Sequence, residues 1–314
     1  MNYLPLVSIV IPVYNGSNFI IDAIGSAFAQ TYPNIEIIVI NDGSDDGGET
    51  ERIVKQYGDR VIYIAKQNGG VSSALNAGIR AARGEWISWL SHDDVYLPDK
   101  IEFQIHQLNQ LLEKQIDISR VILHSATIRI NSKGNVISKK IVSIPDDLTP
   151  HETFNYHIRN YNIGGCTVLI RKSTIEEAGF FDENVRTVSD AQMWFDLLLR
   201  GYSFRYIRKP LVKSRQHKQQ IGNTRCSLFL EEHNQLMLDL AKKVVEQFSR
   251  REKEQAYYAF LHSGHGQAAK IVLGSLKDQG EYRSLPTKFF AFYHCLFYRS
   301  RCFLRAIYRI ITLR

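Results

Sequence analysis

Three stretches of this sequence set carboxylates where chemistry could use them. Asp93 and Asp94 are adjacent, in Ser91-His92-Asp93-Asp94. Neighbouring like charges repel, and the repulsion calls for solvent or a compensating cation. A hard divalent ion, Mn2+ or Mg2+, takes one or two carboxylates together with phosphate oxygens. The bland alternative is an exposed loop with an Asp capping the helix that follows. Asp42 lies in Asn41-Asp42-Gly43-Ser44-Asp45-Asp46-Gly47. That composition suits a turn, the reading it favours when taken alone; the functional alternative is an acceptor for a base N–H at the sheet mouth. Asp190, the third candidate, opens Ala191-Gln192-Met193-Trp194-Phe195-Asp196-Leu197-Leu198, where an Asp is also a good helix cap or first-turn residue. His217 ends Lys213-Ser214-Arg215-Gln216-His217. Imidazole is the commonest metal ligand, but a lone His is more often structural, and the other nine His show no ligand spacing.

Something must position these groups. Short β-branched apolar runs at 7–13, 35–40, 61–65 and 86–90 alternate with helical spacing at 18–31, 45–57, 71–82 and 98–114. Strands of this length alternating with helices imply βαβ units and a Rossmann-like, mostly parallel sheet. The strands are almost continuously apolar, as expected when helices cover both faces. In open α/β sheets ligands bind beyond the carboxyl ends of the strands. Here those ends read Pro12-Val13-Tyr14-Asn15-Gly16, then 41–47, then Gln67-Asn68-Gly69-Gly70, then 91–94, so all four are polar and converge on one mouth. Past residue 120 the pattern changes. Strands at 121–130 and 136–144 flank the turn Asn131-Ser132-Lys133-Gly134. A strand at 166–171, a short Gly-stopped helix at 173–179, a helix at 190–200, a strand at 204–207 and a mainly helical stretch at 227–273 follow.

The bulk composition narrows the class. Of 314 residues, 44% are hydrophobic and 23% charged, which fits an ordinary globular chain. The four cysteines have no C-x-x-C spacing, which argues against a zinc site or a disulfide framework. No basic n-region precedes an apolar segment, and no long uncharged apolar stretch occurs, so neither a secretory signal nor a transmembrane helix is expected. The net charge of +7 is concentrated at one end: residues 282–314 hold seven Lys or Arg and no acid, leaving 1–281 formally neutral (7 − 7 = 0). At helical spacing, Phe289, Phe292, Tyr293, Leu296, Phe297, Phe303, Leu304, Ile307 and Ile311 share one face, opposite Arg301, Arg305 and Arg309. A basic aromatic amphipathic helix reads as membrane-surface binding; packing on the body is the alternative. Charge confined to a tail speaks against a nucleic-acid partner.

Strung together, the pieces resemble family 2 glycosyltransferases with the GT-A fold. V-S-I-V-I-P-V-Y-N-G at 7–16, Q-T-Y-P-N-I-E-I-I-V-I-N-D-G-S at 30–44, G-E-W-I-S-W-L-S-H-D-D at 84–94 and S-D-A-Q-M-W-F-D-L-L-L-R-G at 189–201 follow the family's order. The resemblance implies that Pro12, Tyr14 and Asp42 hold the nucleobase, with Asp42 accepting from a uracil-type N–H, and that Asn15 also binds the nucleotide. It places the Asn68-Gly69-Gly70 loop near the nucleotide, Asp93 at the ribose and Asp94 on a Mn2+ or Mg2+ ion. His217 would contact the metal or diphosphate, and Asp190 would be the catalytic base. Ser91 and Ser189 depart from the pattern, since many members carry acids there.

The resemblance also implies an organisation: a GT-A domain over 1–220 (nucleotide-sugar half 1–115, acceptor half 116–220), a helical extension over 221–285 and a membrane-associating tail over 286–314. The expected activity is inverting transfer from a nucleotide diphosphate sugar, a UDP-sugar in the first instance, to a glycan or lipid-linked acceptor in cell-surface polysaccharide synthesis. The expected location is the cytoplasmic face of the cell membrane. The rival is a nucleotide-sugar-binding or scaffolding protein of the same fold without turnover. A dinucleotide oxidoreductase is excluded, because no G-x-G-x-x-G follows the first strand.

Overall fold

The computed structural model describes residues 3–278 apart from 142–143, 146–147, 161–162, 219, 221–223 and 225. The tail expected over 286–314 lies outside the described residues. The chain forms two compact units, Met1–Pro150 with Ile163–His217, and His151–Asn162 with Lys218–Arg314.

The first unit opens with β1 (Val7–Val13), α1 (Ile20–Phe28), β2 (Ile35–Asp42), α2 (Glu49–Lys55), β3 (Ile62–Lys66), α3 (Val71–Ala81) and β4 (Trp86–Trp89). β1 pairs in parallel with both β2 and β4, and β2 pairs in parallel with β3. The order is β3-β2-β1-β4-β8, where β8 (Ile170–Arg171) runs antiparallel to β4. Every residue of β1 is buried, the burial expected of a central strand covered on both faces. α3 lies so close to this sheet that a Cβ on Gly78 would come within 2.5 Å of Ile40 Cδ1 and Val10 Cγ1.

Beyond the mouth come β5 (Val95–Tyr96), α4 (Lys100–Glu113), β6 (Val121–Asn131) and β7 (Val136–Lys140). After the chain's excursion into the second unit, α6 (Lys172–Ala178), α7 (Ser189–Leu199) and β9 (Ser203–Gln216) complete the first. A second sheet has the order β5-β9-β6-β7, with β6 and β9 parallel and the other pairs antiparallel. β9 is 14 residues long, far longer than the strand expected at 204–207. The part beyond residue 207 carries Arg208, Lys209, Lys213 and Arg215, which hide a strand from hydropathy; long-range pairing with β6 forms it regardless. The strand expected at 166–171 also differs. Gly165–Thr167 is a 3₁₀ turn, and only Ile170–Arg171 pairs.

A buried lysine lies beneath the β4 end. Lys100 is 0% exposed, and its Nζ donates to Ser88 Oγ at 2.8 Å and Gln104 Oε1 at 2.9 Å, 4.2 Å from the Tyr96 ring centre. Burial pushes its ammonium pKa down to about 7.

The second unit is helical. It contains α5 (Pro150–Asn160) from His151 onward, α8 (Cys226–Gln247), α9 (Arg250–His262) and α10 (Gly266–Asp278). Ser249 and Glu252 form a reciprocal capping box that starts α9. Leu236, Leu240, Val244, Phe260, Val272 and Leu276 are among its buried residues. Among the described residues, no helix is long and apolar enough to cross a membrane.

Candidate active site

The loops after β1 and β2 are laced together. Tyr14 Oη donates to Asp45 Oδ1 at 3.2 Å, and Asn15 Nδ2 donates to the same oxygen at 2.6 Å. Asp45 N returns a bond to Asn15 Oδ1 at 2.9 Å. Asn15 adopts a positive φ of 49°, a conformation Asn tolerates. Tyr14 is 44% exposed, whereas Pro12 is buried within β1. The exposed Tyr14 ring and the Asn15 loop therefore present a surface at the mouth, while Pro12 supports it from below.

Asp42, at the end of β2, is 3% exposed and richly partnered. Its Oδ1 accepts from Lys66 Nζ at 2.8 Å and Gly69 N at 3.0 Å, and its Oδ2 accepts from Gly70 N at 2.7 Å. Its carbonyl accepts from Asn68 Nδ2 at 2.9 Å. Asp42 thus folds the Asn68-Gly69-Gly70 loop onto β2. Gly70, at φ 88°, leads into α3 in a conformation that an L-residue resists. Arg186 Nη1 closes the loop from outside, donating to Gly69 O at 2.6 Å.

The loop after β4 is built differently. Asp94 N donates to Ser91 O at 3.1 Å, forming a tight turn, and α4 starts only at Lys100, so Asp94 is not that helix's cap. Arg215, near the end of β9, braces this turn. Its main-chain N–H donates to Asp94 Oδ1 at 2.8 Å, and its Nε donates to Asp93 O at 2.8 Å. Its Nη1 reaches Ser132 O at 3.1 Å and its Nη2 reaches Asp22 Oδ2 at 2.8 Å. Two residues on, His217 Nε2 lies 2.9 Å from Asp93 Oδ2, and its ring rests 5.0 Å from that of Phe19.

Burial and the adjacent Asp93 charge push the Asp94 carboxyl up to about 7, against the pull of the Arg215 N–H. Burial would also raise Asp93, but the His217 hydrogen bond and the nearby His92 hold it below the usual carboxylate range. Cys166, on the 3₁₀ turn, supports the same loop: its Sγ donates to Ser91 Oγ at 3.1 Å and accepts from Ser91 N at 3.3 Å. Sequence reasoning assigned no role to Cys166 or Arg215.

Among the described residues, no group of three or more His, Cys, Asp or Glu is arranged to hold a metal ion by itself. The donor chemistry still fits a hard cation. Asp94 is a carboxylate whose charge costs more than its partners return, and a divalent ion sharing ligands with phosphate oxygens reverses that balance.

Asp190 occupies the first turn of α7, with Ala191 N donating to its Oδ1 at 2.8 Å. Burial pushes its carboxyl up to about 6, opposed by that N–H. Ser189 beside it is buried and accepts from Ser72 Oγ at 2.8 Å, which ties the start of α7 to the start of α3. The Asn68-Gly69-Gly70 loop leads into that same α3. Ser189 therefore has a structural task in place of the acid found there in many family members. Ser189 also lines a cavity of about 400 Å³, together with Arg80, Phe180, Glu183, Gln192 and Asp196, among others.

The comparisons with known proteins agree with this architecture. The model of glycosyl transferase family 2 matches residues 8–177. An uncharacterized glycosyltransferase of Rickettsia felis is 42% identical over 262 residues, covering 82% of this chain and 42% of its own length. The chain therefore spans less than half of that relative. Escherichia coli chondroitin synthase is 35% identical over 138 residues, covering 43% of this chain and 19% of the synthase. Among solved structures, S. aureus TarS 1–349 in complex with UDP superposes with a TM-score of 0.63 at 13% identity, covering 90% of this chain and 94% of that one. The mannosyltransferase PcManGT from Pyrobaculum calidifontis, in complex with GDP-Man and Mn2+, gives 0.57 at 18% identity, covering 99% and 84%. At those identities the likeness is one of fold, and that fold is the GT-A type.

Proposed function

The chain belongs to glycosyl transferase family 2, and from that premise we propose that it transfers a sugar from a nucleotide diphosphate donor to an acceptor hydroxyl with inversion. The observation that carries this reading is the acid pair at the carboxyl end of β4, where Asp94 is pushed up to about 7 between Asp93 and the Arg215 brace. The nucleoside sits against Tyr14, Asn15 and the loop that Asp42 folds, with Pro12 beneath and Asn68 and Gly69 at its flank. Asp42 already accepts three donors, so it acts on the base chiefly by fixing this loop. A UDP-sugar is the preferred donor, a choice supported by TarS having been solved with UDP. Asp94 and His217 would hold a Mn2+ or Mg2+ ion, with Asp93 toward the ribose; such an ion supplies charge compensation to the diphosphate.

The reaction needs one base. The Asp190 carboxylate takes the acceptor hydroxyl's proton as its oxygen bonds to the anomeric carbon. The bond from that carbon to the diphosphate oxygen breaks on the opposite face, and nucleoside diphosphate leaves with the electron pair. One displacement converts an α-linked donor into a β-linked product. The relative named chondroitin synthase supports a growing glycan, free or lipid-linked, as acceptor. Contact of the basic tail with the inner face of the cell membrane would bring a lipid-linked acceptor to the mouth.

The test is donor turnover. The purified chain is incubated with Mn2+ or Mg2+ and a panel of nucleotide sugars, with and without an acceptor-rich membrane extract, and released nucleoside diphosphate is measured. Release from one donor, abolished by chelator, is the expected outcome. No release with any donor in either condition, with no nucleotide binding by calorimetry, would overturn the reading.

A further inference from the structure

The β6–β7 hairpin presents a surface that the active site does not use. β7 is the outer strand of the second sheet. Val136 is 61% exposed, Ile137 50% and Ile141 54%. These are three of the nine exposed large hydrophobic residues among the described residues, and they fall within six positions. Val136 and Ile137 are consecutive, so their side chains leave opposite faces of the strand. Neither face is covered at this point, and the apolar surface is therefore not one half of a core.

The charge of the same segment is one-sided. Residues 121–145 contain Arg129, Lys133, Lys139 and Lys140 and no Asp or Glu; the next acids are Asp146 and Asp147. Among the described residues, the side chains of Arg129, Lys133 and Lys139 form no ion pair or hydrogen bond, although those of Arg52, Lys55 and Lys66 do. Exposed apolar groups flanked by unneutralised cations narrow the choice of occupant. A second copy pairing edge to edge would set lysines against lysines, which is how edge strands resist such pairing. A soluble acidic glycan would take the cations but leave Val136, Ile137 and Ile141 in water. The boundary of an anionic bilayer accepts both, with apolar side chains at the acyl chains and Lys or Arg among the headgroups.

The hairpin is also joined to the chemistry. Its turn carbonyl, Ser132 O, accepts from Arg215 Nη1 at 3.1 Å, and the same Arg215 braces Asp94 through its main-chain N–H. We propose that the β6–β7 hairpin is a membrane-contact element that seats Val136, Ile137 and Ile141 in the headgroup boundary of an anionic bilayer, beside the acid pair. The contact is independent of the C-terminal tail and of which sugar is carried. It sets the height of the mouth above the lipid surface, which suits an acceptor that is itself anchored there.

The test uses the full-length chain with Ile137→Trp and, as a control on α4, Leu112→Trp. Both are mixed with vesicles containing anionic and brominated lipids. Quenching of the added fluorescence at 137 but not at 112 is expected, and equal quenching at both positions overturns the proposal. In flotation, Val136→Ser with Ile137→Ser should weaken binding to anionic vesicles by about ten-fold, following the loss of buried apolar area. Unchanged partition of that variant overturns it. So does an equal response of the 137 reporter to a soluble acidic polysaccharide without vesicles, or sedimentation as a dimer that Ile137→Lys dissolves.

Discussion

Two parallel strands of the first sheet lead to aspartates, β2 in its last residue and β4 in the turn that follows it, and the fold treats them in opposite ways. At the end of β2, Asp42 is given two main-chain N–H donors and a lysine. It works as a knot that fixes the 67–70 loop. At the end of β4, Asp94 is given one main-chain donor and an acidic neighbour, and its carboxyl is lifted to about 7. The residue type and the buried setting are the same; the number of donors and the sign of the nearest charge differ. A saturated carboxylate builds architecture, whereas an under-compensated one stores affinity for an incoming cation.

The largest expected effect belongs to neither strand end and so calibrates both. Asp190→Asn should lower kcat by about 10²–10⁴-fold, the range for a positioned general base. The base acts deprotonated, so the wild-type rate should fall as pH drops through about 6. A pH–rate profile flat across that region would remove Asp190 from the role.

Asp94→Asn comes next, with an expected loss of roughly 10²–10³-fold in donor turnover, the scale for deleting one electrostatic stabiliser. Titrating the divalent ion should show that the variant has lost its metal response. Asp42→Asn should behave differently, raising KM for the donor by about ten-fold while kcat changes little, because it loosens a binding loop. If Asp42→Asn depressed kcat as deeply as Asp94→Asn does, the contrast between knot and store would collapse. The smallest effect is Gly70→Ala, at about 1–3 kcal/mol of stability for an L-residue held in an extended positive-φ conformation that is essentially glycine's. Its denaturation midpoint reads that cost directly.

Much of the first unit was legible because its strands are nearly continuous apolar runs, and the polar residues at their ends could be read as one mouth. Asp93, Asp94 and His217 do meet, as do Asp42, Asn68 and Gly69. Arg215 was not legible as an organiser. Its partners Asp94, Asp93, Ser132 and Asp22 lie 121, 122, 83 and 193 positions away, beyond any local pattern. The two-residue β5 and the charged part of β9 beyond residue 207 escaped for a related reason: cross-strand pairing makes them, and hydropathy does not record it. α5 lies in a stretch where no element was expected. The Asp94 cap reading failed on distance, since five residues separate it from the first residue of α4.

Lys100 has a consequence of another kind. With its pKa lowered to about 7, a sizeable share of this amine carries a free electron pair near neutrality. In that form an amine attacks acylating reagents, whereas ordinary surface lysines are mostly protonated but accessible. Lys100 is the reverse, wholly enclosed, with a lowered pKa that lasts only while it is enclosed. Its rate of acylation would then be set by how often the core beneath β4 opens, which makes this residue a built-in clock for that opening.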